Sequence, residues 1–306
     1  MSTVFDHLLT EEPGAPTASM NEAWQRCRAV SERFPDSVDA AVAGGFVADR
    51  LGYAFLAGYQ AAIVALLPDL PRDRAYSLAA TEEGGGHPAA IRTVLSERDG
   101  VWTVRGTKTF TTLAGLADRL VVVASRGTGP DGRNRLAAAL VDVTEPAVTV
   151  ADRPALAFAP EIPHAVVTFD DARAWPLPGD GYTDLLKPFR TIEDIHVTAA
   201  ALGWLVRVGR QADWPRPVLQ RLLGIVAALR GLGGCRPSSS GVHVALAGIF
   251  DDAERLFGEI EPLWARVEEQ TRARWERDRP LLGVAGRARD LRLATAWRAV
   301  GTGDRG

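Results

Sequence analysis

Three stretches of the chain carry residue types that can do chemistry. Ala79-Ala80-Thr81-Glu82-Glu83-Gly84-Gly85-Gly86-His87-Pro88 runs a hydroxyl and two carboxylates into a glycine turn that ends on an imidazole. Glycine lets backbone approach a ligand where a Cβ would block it. Gly106-Thr107-Lys108-Thr109-Phe110-Thr111-Thr112 is a β-branched run with a lysine and an aromatic ring. Thr191-Ile192-Glu193-Asp194-Ile195-His196 puts Glu193 and His196 about one helical turn apart. A carboxylate in a water-poor site can take a proton from carbon. Glu193-x-x-His196 is also half of a di-iron bundle motif, but that chemistry needs a second such pair and two further carboxylates, and no metal is expected.

The elements that must position these residues follow from periodicity. From about Met20 to Leu67 apolar residues recur at helical intervals, with Asp36 and Ser37 offering caps and Gly44-Gly45 an expected break. From about Ala75 to Ala174 short β-branched runs alternate with turn signals. Arg98-Asp99-Gly100 predicts a tight hairpin, because Asp-Gly tolerates positive φ at both central positions. Leu120 to Ala124 and Leu136 to Val141 predict buried strands. After Gly179-Asp180-Gly181 the pattern is helical again: Leu185–Val208, Val218–Leu232, Leu246–Arg277 and Leu281–Val300. The expected fold is α+β and multidomain. An N-terminal helical domain (1–74) precedes a central β-barrel or sandwich (75–178) and a C-terminal helical bundle (179–306).

The chain has 306 residues, 46% hydrophobic and 24% charged, with a net charge of −3. Such a chain buries a large core. Its arginines are scattered and its only lysines are Lys108 and Lys187, which argues against nucleic acid or an anionic membrane as partner. Cys27 and Cys235 belong to no motif. No apolar run is long enough to span a bilayer, and the start of the chain has no signal-peptide pattern, so a cytoplasmic protein is expected.

Taken in order, the motifs resemble the acyl-CoA dehydrogenase family. That family has Thr-Glu before a glycine-rich turn, then a Gly-x-Lys-x-aromatic-x-Thr strand, then Phe-Asp-x-Val-Arg-x-Pro. Here the last is matched by Phe169-Asp170-Asp171-Ala172-Arg173, followed by Pro178-Gly179-Asp180-Gly181 and a helix reaching Ala200-Ala201-Leu202-Gly203. The resemblance covers roughly residues 40 to 205. It implies helical domain, β-domain and bundle, bound FAD, and oxidation of an acyl thioester, on coenzyme A or a carrier protein, to its α,β-unsaturated form. By position Ala80 and Thr81 would meet the isoalloxazine edge, Phe110 its face and Thr112 a nearby hydrogen bond. Gly86 would line the turn beside pyrophosphate or substrate. Glu193 matches the position some members use for the catalytic base. His87 stands where the family has a serine that contacts the thioester. A homodimer or larger homo-oligomer is implied.

The C-terminal third departs from the family. Its Gln-x-x-Gly-Gly segment has no counterpart, and Arg255-Leu256-Phe257-Gly258 is one residue short of Arg-x-x-Phe-Gly. The chain is also shorter than the family's. Two further readings therefore stand beside the dehydrogenase: a flavin-dependent monooxygenase of the same fold, and a flavin-poor homologue acting as a partner subunit.

Overall fold

The computed structural model describes residues 3–301. It has two compact units, one of Met1–Ala65, Ala157–Ala159 and Arg190–Gly306, the other of Leu66–Leu156 and Pro160–Phe189.

The first unit is helical. Its N-terminal part holds α1 (Val4–Thr10), α2 (Met20–Ser31), α3 (Ser37–Val47) and α4 (Leu51–Leu66). Ser19 caps α2 by accepting from the Glu22 N–H, and Asp36 caps α3 by accepting from the N–H groups of Val38 and Asp39. The C-terminal part holds α5 (Lys187–Gln211) from Arg190 onward, α6 (Arg216–Gly233), α7 (Ser240–Glu259), α8 (Glu269–Asp278) and α9 (Gly286–Ala299). Residues Ala199–Val206 of α5 are buried on every side, as expected of a helix at the centre of a bundle.

Two expectations change here. Gly44-Gly45 does not break α3, which continues to Val47 and ends at Ala48 in an extended conformation. Gly45 instead allows close packing on α5: a Cβ there would lie 1.9 Å from the Ala200 carbonyl oxygen. Leu246–Arg277 is not one helix. The chain leaves α7 at Ile260, passes through a 3₁₀ turn at Glu261–Arg266 that contains Pro262, and restarts as α8. That detour stacks Trp264 on Trp275 with ring centroids 4.8 Å apart and planes 10° off parallel. Trp204 and Trp214 complete the buried cluster.

The second unit is an eight-stranded sheet: β1 (Tyr76–Ala79), β2 (Val94–Arg98), β3 (Val101–Thr112), β4 (Arg119–Thr128), β5 (Asn134–Asp142), β6 (Val148–Asp152), β7 (His164–Arg173) and β8 (Trp175–Pro176). The order is β6-β7-β3-β2-β4-β5-β8, with β1 parallel to β4. Val104, Leu120, Val122, Val141, Val167 and Phe169, from four strands, share one core, so the sheet curls around it. The Asp99-Gly100 hairpin forms with φ of 52° and 77°, the conformation its sequence predicts. No helix among the described residues is long and apolar enough to cross a membrane.

Candidate functional site

In the sheet unit, β1 feeds Ala80 and Thr81 alongside β3. Thr81 bridges Phe110, and the Thr109 N–H donates to the Thr81 carbonyl at 2.9 Å. The chain then turns back between Glu82 and Gly85, which exchange backbone hydrogen bonds of 3.2 and 2.8 Å. Gly85 has φ +90°, a conformation in which a side chain is strained. The turn thus fixes Gly85 by its backbone, whereas Gly86 has open space around its missing Cβ, with only the Thr81 hydroxyl within 4 Å.

The charged residues of the two motifs turn inward. Lys108 is fully buried, and its Nζ donates to Glu82 Oε1 at 2.7 Å, the Val123 carbonyl at 2.6 Å and the Ala80 carbonyl at 3.3 Å. Glu82 also accepts from the N–H groups of Arg92 and Thr93. Burial opposes its charge, but the Lys108 bond and charge and these backbone donors outweigh it and hold the carboxyl below its usual range. Gly106, with φ +142°, lies against β2: a Cβ there would sit 2.7 Å from Thr93 Cα. The Thr-Glu and Gly-x-Lys pairs therefore lock the strands that carry the site.

Phe110 owes its direction to a β-bulge. On β7 the partners of Lys108 and Thr111 are Val167 and Ala165, so three steps on β3 oppose two on β7. Lys108 and Thr111 both point inward and are fully buried, while Phe110 and Thr112 are turned the other way and half-buried. Arg153 donates to the Thr109 carbonyl at 2.9 Å and lies 5.5 Å from the centre of the Phe110 ring. His164, opposite Thr112 in register, packs on Phe110 with centroids 4.2 Å apart, and burial pushes its pKa down. The Thr81 and Thr112 hydroxyls bond to no other described residue. Structure thus brings Ala80, Thr81, Phe110 and Thr112 together.

His87 is exposed at the end of the turn. Its Nδ1 accepts from the Ala89 N–H at 3.2 Å, capping the short turn Pro88–Ala90. Glu161-Ile162-Pro163-His164 repeats the Glu-x-x-His spacing of residues 193–196. It lies at the entrance of a strand, where residues three apart do not share a face.

Glu193 is in the helical unit, on α5, and is partly exposed. Burial of the carboxyl and the neighbouring Asp194 charge raise its pKa to about 7, against the opposing pull of Arg289, Arg292 and Arg190. No ion-pair partner contacts it among the described residues. Asp194, which belongs to no motif in the sequence, is buried and bound by Arg289 and Arg292 of α9. The only sequence signal was the i, i+3 arginine spacing on α9. His196 is enclosed: Nδ1 donates to the Ile192 carbonyl at 2.7 Å and Nε2 accepts from the Ser37 hydroxyl at 2.9 Å. Burial lowers its pKa to about 4. Arg255 is exposed and paired with Asp252, while Leu256 beside it is buried.

Residues 77–172 match the family model described as acyl-CoA dehydrogenase, middle domain. Among curated proteins none matches the chain. Solved structures share its fold. Butyryl-CoA dehydrogenase from Megasphaera elsdenii is 15% identical, with a TM-score of 0.68, over 96% of this chain and 95% of that one. The acyl-CoA dehydrogenase from Geobacillus kaustophilus is 17% identical, with a TM-score of 0.64, over 92% and 90%. The prolyl acyl carrier protein oxidase AnaB is 12% identical, with a TM-score of 0.66, over 90% of both.

Proposed function

Because residues 77–172 belong to the acyl-CoA dehydrogenase family and the chain takes that family's fold, we propose that the protein is an FAD-dependent oxidoreductase converting an acyl thioester to its α,β-unsaturated form. The observation that carries this reading is the outward-turned set of Thr81, Phe110 and Thr112, with two hydroxyls that no described residue binds. An isoalloxazine has an apolar face and an acceptor-rich edge. Phe110 suits the face, the Thr81 hydroxyl beside Ala80 suits the edge, and Thr112 adds a hydroxyl. Gly86 leaves the turn open to the rest of the cofactor or to substrate. These residues fit the group.

A bound flavin supplies the acceptor for the hydride that leaves the β-carbon. The protein supplies the base: a Glu193 carboxylate oxygen accepts the proton from the α-carbon. A pKa of about 7 leaves a large fraction ionised at neutral pH and makes a stronger base than an ordinary carboxylate. His87 offers its Nε2 to the thioester, which arrives on coenzyme A or on a carrier protein. The protein works in the cytoplasm as a homodimer or larger homo-oligomer.

The test is the visible spectrum of the purified protein with and without added FAD, followed by anaerobic addition of acyl thioesters. The reading requires a bound-flavin spectrum that bleaches with one of them. Glu193→Gln must keep the flavin and lose the bleaching. A colourless protein that rejects FAD overturns the proposal.

A further inference from the structure

We infer that the C-terminal helix α9 belongs to the proton-abstracting site, with Arg289 and Arg292 as positioning residues that neutralise Asp194 and so decide when Glu193 ionises. This rests on the reading of Glu193 as base. Asp194 follows Glu193 directly on α5 and is 5% exposed. Its Oδ1 accepts from Arg289 Nε at 2.9 Å and lies 2.8 Å from Arg289 Nη2, while Oδ2 accepts from Arg292 Nη2. Arg289 is itself fixed: Nη1 donates to the Leu282 carbonyl at 2.9 Å, and the guanidinium lies 4.1 Å from the centre of the Phe250 ring on α7.

A buried aspartate tethering two helices is satisfied by one bidentate arginine. The second cation is what a tether leaves unexplained. Two guanidinium groups on one carboxylate leave a net positive charge beside Glu193, whereas an unpaired Asp194 would repel a second negative charge at the next residue. The surrounding groups are few. On α5 they are Arg190, Asp194 and His196, the last held neutral by its enclosure. On α9 they are Arg289 and Arg292. On α7, His243 is hydrogen-bonded to the Thr191 hydroxyl and the Pro237 carbonyl. Among the described residues, only the two α9 arginines bind Asp194.

The decisive feature is that removing either side of the clamp has opposite effects. Arg292→Gln uncovers the Asp194 charge and removes a cation, so Glu193 should ionise about one pH unit higher. Asp194→Asn removes the repelling charge and leaves both cations, so Glu193 should ionise about one unit lower. Arg292→Lys keeps the charge and should restore most of the original midpoint.

The measurement is an infrared pH titration of the full-length protein labelled with ¹³C-carboxyl glutamate, the Glu193 band being assigned by its loss in Glu193→Gln. The acid limb of kcat/KM against pH is followed in the same variants. Opposite shifts of the infrared midpoint, with rescue by lysine, are the expected result. Midpoints that stay put, or that move the same way in Arg292→Gln and Asp194→Asn, overturn the clamp; Arg289→Gln gives the same reading should Arg292→Gln not fold. If the midpoints move oppositely while Glu193→Gln turns over normally, the clamp stands and the assignment of the base falls.

Discussion

Lys108 Nζ sits 2.7 Å from Glu82 Oε1, and the lysine has no exposure to solvent. Burial favours the neutral lysine and lowers its pKa, and the Glu82 carboxylate opposes that shift. A buried pair of this kind is costly to break from one side, because the remaining charge is left without a partner. Lys108→Met should therefore cost about 3–5 kcal/mol, read as a fall in the denaturation midpoint. Glu82→Gln combined with Lys108→Met should recover most of the loss. A double variant no more stable than the single would show that the pair does not account for the effect. Glu82 has a depressed folded pKa, so its contribution is present above the ordinary glutamate range and is lost as pH falls through the folded value.

Gly45 and Gly224 give a matched contrast in the helical unit. A Cβ at Gly45 would meet the backbone of Ala200, which cannot move aside, whereas a Cβ at Gly224 on α6 meets nothing within 4 Å. Gly45→Ala should destabilise by about 3 kcal/mol or more through overpacking. Gly224→Ala should stabilise by about 0.5–1 kcal/mol, the ordinary helical preference for alanine. Chemical denaturation of both variants checks the pair. Equal effects would mean that α3 and α5 are not in close contact.

His196 makes the helical unit acid-sensitive. Its folded pKa of about 4 lies below the ordinary 6.5, so between these values the unfolded chain binds the proton and the folded chain does not. Stability is full above about pH 6.5 and is lost as pH falls toward 4, by up to roughly 3 kcal/mol from this group alone. The slope of Tm against pH over that window should flatten in His196→Gln. An unchanged slope would assign the acid sensitivity to other groups.

Much of this architecture was legible because its signals are local. Asp36 caps α3 and Asp99-Gly100 makes a hairpin through contacts within a few residues. The rest depends on distant partners. The bulge that turns Phe110 outward is a mismatch between β3 and β7, and nothing within β3 announces it. The break between α7 and α8 was masked by helical periodicity on both sides of Pro262. Gly44-Gly45 read as a breaker because the backbone that requires Gly45 lies on α5, more than 150 residues away in sequence. The Asp194 contacts with Arg289 and Arg292 join residues 95 and 98 positions apart, and the i, i+3 spacing of the two arginines does not say which carboxylate they meet.

Phe110 and Thr111 are neighbours in sequence whose side chains face opposite sides of β3, and this separates flavin binding from folding. Thr111 is fully buried and its hydroxyl has no hydrogen-bond partner among the described residues. Thr111→Val removes a polar atom from an apolar site at constant shape, and should raise stability by about 1 kcal/mol without touching the flavin. Phe110 is half-buried, so Phe110→Ala removes little core. It does remove the ring proposed to pack on the isoalloxazine, where aromatic packing is worth about 0.5–1.5 kcal/mol beyond its area. FAD affinity should fall roughly tenfold or more in Phe110→Ala once lost burial is added. Thr81→Val should weaken FAD further by deleting a hydroxyl donor at the edge. Flavin fluorescence titration of the three variants measures this. If Phe110→Ala binds FAD as tightly as Thr111→Val, the outward face of the bulge does not hold the flavin, and the proposed site must lie elsewhere on the chain.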